Sequence, residues 1–256
     1  MLEYAPEGLI GVLTPQANTT VEPEFSILCP PGYGLVTARL TSDKPSMDDR
    51  LVDYGVSLET TLDRFANMPL GVVLFACTGA SYLVEPEQEK AIIAKIEAER
   101  GLKLITATDA IADALDVLGA ANIGIVSPYG DPLHDHALGY WARRGVGIAK
   151  VARIKSVDAA FHPIYALGAK TSKEQLEKLV ADNLDAVAML GTGLPTLPAI
   201  LAAKARPAPV ISPNLCLMWS AMLALRGEAP SAENLGPWLD GSAWRARLAF
   251  HTQGQD

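Results

Sequence analysis

The amino-acid sequence predicts an α/β fold of two pseudo-symmetric lobes, each with a parallel sheet, facing each other across one cleft. Three observations predict it. Apolar strand-like runs alternate with helical patterns along the 256 residues, the order that yields parallel sheets with helices on both faces. One segment occurs twice: Val73-Leu74-Phe75-Ala76-Cys77-Thr78-Gly79 returns 114 positions later as Val187-Ala188-Met189-Leu190-Gly191-Thr192-Gly193. A second pair keeps nearly that offset, Ile10-Gly11-Val12-Leu13-Thr14-Pro15 matching Ile123-Gly124-Ile125-Val126-Ser127-Pro128 at 113 positions. Each copy is an apolar run ending in small polar residues, the pattern of a buried parallel strand delivering a loop to a cleft.

In chain order, strands are predicted at Leu9 to Leu13, Gly34 to Leu40, Gly71 to Ala76 and Leu102 to Thr106, then at Asn122 to Val126, Val146 to Ile154, Ala186 to Leu190 and Pro209 to Ser212. Asp49 to Ala66 places Leu51, Tyr54, Leu58, Leu62 and Phe65 at i, i+3, i+4 spacing and predicts one helix. Glu87 to Glu99 does the same with Ile92, Ile93 and Ile96. Asp109 to Leu118 opens on an Asp suited to capping and stops before Gly119. The charged segment Lys170 to Lys178 predicts a solvated helix face. The repeat divides the chain into Rossmann-like lobes at about 1–118 and 119–226, with no Gly- or Ser-rich linker between them, so they should pack as one unit. Residues 227–256, with Pro230, Pro237, Trp238 and Trp244, form an extension expected to cover the surface or a partner subunit; a homo-oligomer is one option.

Composition narrows the function. A hydrophobic content of 49% suits one large domain or two intimate lobes. The net charge of -8, without a basic run, argues against nucleic acid as a partner. The opening residues Met1 to Gly8 carry acids and a proline instead of a signal pattern, and no apolar stretch is long enough to span a bilayer. Three cysteines, Cys29, Cys77 and Cys216, form no CxxC pattern, so reduced thiols in the cytoplasm are expected.

Ligands of open α/β sheets bind beyond the carboxyl ends of strands. Five such ends are rich in hydroxyls, amides and glycines: Thr14 to Thr20, Cys77 to Ser81, Ser127 to Asp131, Gly191 to Pro195 and Ser212 to Asn214. Neutral donors at helix N-termini suit a carboxylate and an oxyanion or enolate. No His, Asp and Glu cluster sits there, so no metal is expected. No GxGxxG or GxxxxGK[ST] follows a strand, which leaves nucleotide binding unsupported. Cys77, at a strand end and helix start, is the candidate base or nucleophile, its ionisation favoured by the local positive potential. Its bland alternative is a small buried hydrophobe, the reading adopted for Cys29 and Cys216. Asn18 and Tyr129 are candidate substrate donors, with packing or capping as the alternatives. Thr78, Gly79, Gly191, Thr192 and Gly193 complete the candidate oxyanion site and can equally serve as caps and turns. Ala80, Tyr82, Met189 and Leu194 are expected to shape the pocket. His134 and His136 read as structural; His162, before Pro163 and after the sixth strand, is the stronger of the histidines as a candidate base, though not adopted as one.

Together these strand ends resemble the aspartate/glutamate racemase superfamily, and within it the maleate isomerase and arylmalonate decarboxylase group. The resemblance runs from Gly11 to about Leu225. It rests on Gly11 to Pro15 with Asn18 to Pro23, on Cys77-Thr78, on Ser127-Pro128-Tyr129, on Gly191 to Leu194 with Pro198 to Ile200, and on Pro209 to Ser212 with Trp219. It implies a cofactor-free enzyme whose two lobes sandwich a small dicarboxylate, racemases and isomerases using two cysteines and decarboxylases only the second. This chain keeps the first, Cys77, and has Gly191 at the second; Ile164 stands at the position of an Asn in maleate isomerases. A lone thiol cannot serve two faces of a carbon. The expectation is therefore decarboxylation of a malonate-type diacid with Cys77 as proton donor. The alternatives are a maleate isomerase-like reaction with Cys77 as nucleophile, or a catalytically silent dicarboxylate-binding protein.

Overall fold

The computed structural model describes residues 2–155, 163–179 and 183–252. All eight expected strands are present: β1 (Gly8–Pro15), β2 (Tyr33–Leu40), β3 (Leu70–Phe75), β4 (Leu104–Thr106), β5 (Asn122–Ser127), β6 (Gly147–Arg153), β7 (Ala186–Met189) and β8 (Val210–Ile211). They form two wholly parallel four-stranded sheets with the same order, β2-β1-β3-β4 and β6-β5-β7-β8. The repeated glycines have a packing cause. A Cβ on Gly11 would stand 2.9 Å from both Leu70 and Val73, and one on Gly124 2.9 Å from Leu184.

The helices are α1 (Val21–Leu28), α2 (Met47–Val56), α3 (Leu58–Leu62), α4 (Thr78–Tyr82), α5 (Pro86–Arg100), α6 (Ala107–Leu118), α7 (Leu133–Arg143), α8 (Ala169–Glu177), α9 (Leu197–Ala203), α10 (Pro213–Arg226), α11 (Ala232–Leu239) and α12 (Arg245–Thr252). Two expectations are corrected. The helix over 49–66 is broken at Ser57, whose φ of -85° and ψ of 3° leave the helical region. Gly55, Val56 and Ser57 are weak helix formers, and Ser57 O accepts from the Thr60 and Thr61 hydroxyls as well as from Thr61 N. The apolar stripe survives the break, since Leu51, Tyr54, Leu58, Leu62 and Phe65 are all buried. The cap of α6 is Thr106, whose hydroxyl accepts from Asp109 N at 3.0 Å, while Asp109 accepts from that hydroxyl. Gly119 ends α6 with φ +61°, as expected.

The halves interlock. Helix α10 follows β8 but packs on β3 and β4 of the other sheet and on α6, which in turn reaches β7. The described part of the extension covers this same chain: α12 lies on α1 and α9, and the Arg247 guanidinium donates to the carbonyls of Ile27 and Leu28. In α8, Ser172 and Leu176 face inward while Lys170, Lys173, Glu174 and Glu177 are exposed. No helix among the described residues is long and apolar enough to cross a membrane.

Candidate active site

Cys77 sits just past β3 and is the N-cap of α4, with φ -145°. It lines a small cavity of about 40 Å³ together with Thr78, Gly79, Tyr129, Gly191, Thr192 and Gly193. The remaining wall is Pro15, Met47, Leu51, Leu133, Ile164 and Tyr165. The larger groove, about 510 Å³, lies elsewhere, between α5, α6 and α7. Its cations are already matched there, Lys90 with Glu87, Arg143 with Glu85 and Arg144 with Asp109. Seven of the eight candidate residues thus share one cavity. Asn18 is not part of its wall.

The donors are more committed than strand ends alone suggest. The Thr78 and Tyr129 hydroxyls are 2.8 Å apart, so one proton is shared and the other is left for the cavity. Thr192 Oγ1 donates to Ala76 O at 3.0 Å and accepts from Asn18 Nδ2 at 3.2 Å, bonds that tie the two halves together across the site. Asn18 Oδ1 accepts from the backbone of Thr20 and Val21 and so caps α1. Ser127, 2.8 Å from His134 Nδ1, and Asn214, which donates to the Thr192 carbonyl, are structural. Ala80, Tyr82, Met189 and Leu194 are buried but do not line the cavity; Tyr82 instead packs edge-on against Tyr129. His162 lies outside the described residues.

The local positive potential expected to favour ionisation of Cys77 is outweighed. Burial pushes its thiol up to about 12, outweighing the N–H groups of Ala80 and Gly79 that favour the thiolate, and the Glu89 charge adds to the rise. With 3% of its surface exposed, the sulfur pays a desolvation cost that so short a helix does not offset. At neutral pH Cys77 is a thiol. Tyr129 is likewise held well above its ordinary value, first by burial, and is a donor.

The position facing Cys77 in the repeat is occupied. Gly191 has φ +89°, and a Cβ there would stand 2.7 Å from Ile164 and 2.9 Å from Pro128. Gly193 is equally covered, by the Tyr165 ring at 2.5 Å. Behind this wall lies a carboxylate that sequence reasoning passed over. Glu24, 5% exposed, accepts from Thr196 N at 2.6 Å, Leu197 N at 3.1 Å and Asn214 Nδ2 at 2.7 Å. Its signal was an acid on the buried stripe of α1 between Val21 and Leu28. Met47, Leu51 and Tyr165 were also missed, and Ile164 was read only as standing where maleate isomerases have an Asn. Leu51 was assigned to a helix without a site, Met47 lies before the predicted start of that helix, and Ile164 and Tyr165 lie in a segment without periodicity.

The sequence model of the arylmalonate decarboxylase family matches residues 10–236. A maleate isomerase of Geobacillus stearothermophilus is 24% identical over 207 residues, covering 75% of this chain and 80% of that protein. Among solved structures, the maleate isomerase of Pseudomonas putida S16 has a TM-score of 0.77 at 20% identity, over 92% of this chain and 99% of its own. A cysteine-to-serine mutant of Nocardia farcinica maleate cis-trans isomerase, carrying a covalently bound succinylcysteine intermediate, has a TM-score of 0.75 at 20% identity, over 86% and 93%. Arylmalonate decarboxylase itself has 0.68 at 19% identity, over 86% and 94%.

Proposed function

This chain belongs to the arylmalonate decarboxylase family, and from that premise we propose that it decarboxylates a small malonate-type diacid, with Cys77 as the sole proton donor. One observation carries the reading: a single protonated sulfur faces a wall whose matching position, Gly191, is filled by Ile164 and Pro128. One carboxylate leaves as CO2 against the apolar wall of Leu51, Leu133 and Ile164. Removal from water destabilises that anion relative to neutral CO2. The bonding pair passes into the retained carboxylate as an enediolate, stabilised by the one proton that the Thr78–Tyr129 hydroxyl pair leaves for the cavity. The Cys77 S–H bond then breaks as the Cα–H bond forms, and solvent restores the thiol after product leaves. No cofactor enters this chemistry.

The test is proton NMR in D2O with a panel of malonates, maleate and amino acids. The expected result is CO2 loss with one deuterium at Cα and a single product handedness, opposite to that of an enzyme whose thiol stands on the Gly191 wall. A racemic product would overturn the mechanism. A second reading, isomerisation of a maleate-like diacid by addition of Cys77, is favoured by the succinylcysteine on the Nocardia farcinica relative, itself a cysteine-to-serine mutant. Cis-trans conversion in the same tubes, with a covalent adduct on Cys77 by intact mass, would select it. Diacid binding without turnover would overturn both and leave a binding protein.

A further inference from the structure

We propose that the cavity has an anion-accepting subsite made by Arg50, Tyr54 and Tyr165, so that the diacid it takes carries an acidic side group. This rests on the diacid reading and adds the chemistry of the substituent. Met47 and Leu51 line the cavity from α2, and Arg50 and Tyr54 each follow one of them by three residues, on the same helix face. Tyr165 lines the cavity from the opposite wall, against Gly193. The Tyr54 hydroxyl is buried and takes the Gln16 N–H. Arg50 and Tyr54 thus share the α2 stripe that Met47 and Leu51 turn to the cavity, and the charge of Arg50 lowers the pKa of the hydroxyls of both Tyr54 and Tyr165.

Arg50 is under-satisfied where it stands. Its Nη2 donates to the Pro45 carbonyl at 2.9 Å, but its Nε is buried without a hydrogen-bond partner. No carboxylate among the described residues pairs with it, Asp53 on the same helix included. Arg39, the other cation near Tyr165, is paired with Glu22. A buried guanidinium N–H left unmatched is costly, and a planar carboxylate is its natural partner. Burial holds both phenols above their ordinary values, so they remain protonated and add donors of the same kind. The present cavity has room for roughly three waters, so a substrate enters only as the side chains of α2 and of Ile164 and Tyr165 draw back.

The test is calorimetric titration of the full-length protein with two unreactive acids, succinate and propane-1,2,3-tricarboxylate, at one ionic strength. The tricarboxylate should bind at least about tenfold more tightly, the scale of one charge-assisted hydrogen bond. Arg50→Met should bring the two affinities within about twofold of each other, with Arg50→Lys and Tyr165→Phe between. Equal affinities in the wild-type protein, no binding of either acid, or a preference that survives Arg50→Met would overturn the subsite. Should Arg50→Met not fold, the Arg50→Lys and Tyr165→Phe ratios decide. Because the readout is binding, failure of CO2 release leaves this result standing, and the reverse holds.

Discussion

At Cys77 the chain leaves β3 with φ -145° and enters α4 at the next residue; at Gly191 it leaves β7 with φ +89° and does not enter α9 until Leu197. The two stretches share Val, Thr and Gly at three of seven positions and an apolar run between, yet their helix N-termini serve different acceptors. The N–H groups of Gly79 and Ala80 make no cap hydrogen bond to the Cys77 sulfur but favour its thiolate. Those of Thr196 and Leu197 point at the Glu24 carboxylate, brought from the other half of the chain. One copy keeps its backbone donors for a reacting atom. The other uses them to fasten the halves together, and its glycine lets Ile164 and Pro128 close over the spot where a second thiol would stand.

The sharpest way to break this comparison is Cys77→Ala. Loss of a positioned general acid typically costs about 10²–10⁴-fold, and turnover measured as CO2 release should fall at least about a thousandfold. Activity within tenfold of wild type would move the chemistry away from the first copy. Next is Gly191→Cys. A side chain at positive φ against Ile164 and Pro128 should cost about 2–4 kcal/mol in urea denaturation, and adding Ile164→Ala should recover about half. Only the double variant should exchange the α-proton of product for deuterium. Wild-type stability in Gly191→Cys would mean the wall is not packed as described.

Tyr129→Phe removes one hydroxyl of the enediolate pair and should lower kcat by about 100-fold with little change in KM. An effect confined to KM would make Tyr129 a ground-state contact. The smallest expected effect is on the pH profile. A thiol pushed up to about 12 stays protonated below that pH, so an acid role keeps kcat/KM flat within about twofold between about pH 6 and 9. A thiolate nucleophile would instead give a rise approaching tenfold per pH unit.

Much of this was legible in the amino-acid order. The eight strands were, most of them as short apolar runs buried in their sheets, while the edge strands β2 and β6 are half-buried or exposed. The meeting of Cys77, Tyr129, Gly191 and Thr192 was legible because parallel strands all end on one edge. Asn18 was read at the right end of the right strand, but its amide holds Thr192 and its oxygen caps α1, a division of labour that depends on a partner 174 residues away. The protonation of Cys77 was not readable, since it is set by how much protein surrounds the sulfur. Nor was the break at Ser57, where the apolar period runs on unbroken while the backbone does not.

The crossed packing of α10 onto β3 and β4, and of α6 toward β7, bears on origin. A free-standing unit of either half would leave the β3 and β4 side of its sheet, or its counterpart, bare to water, and would need a twin to lend the missing helix. If the internal repeat records a duplication, the half-length forerunner was an obligate pair before fusion. Its shared interface now lies against β3, the strand that ends at Cys77.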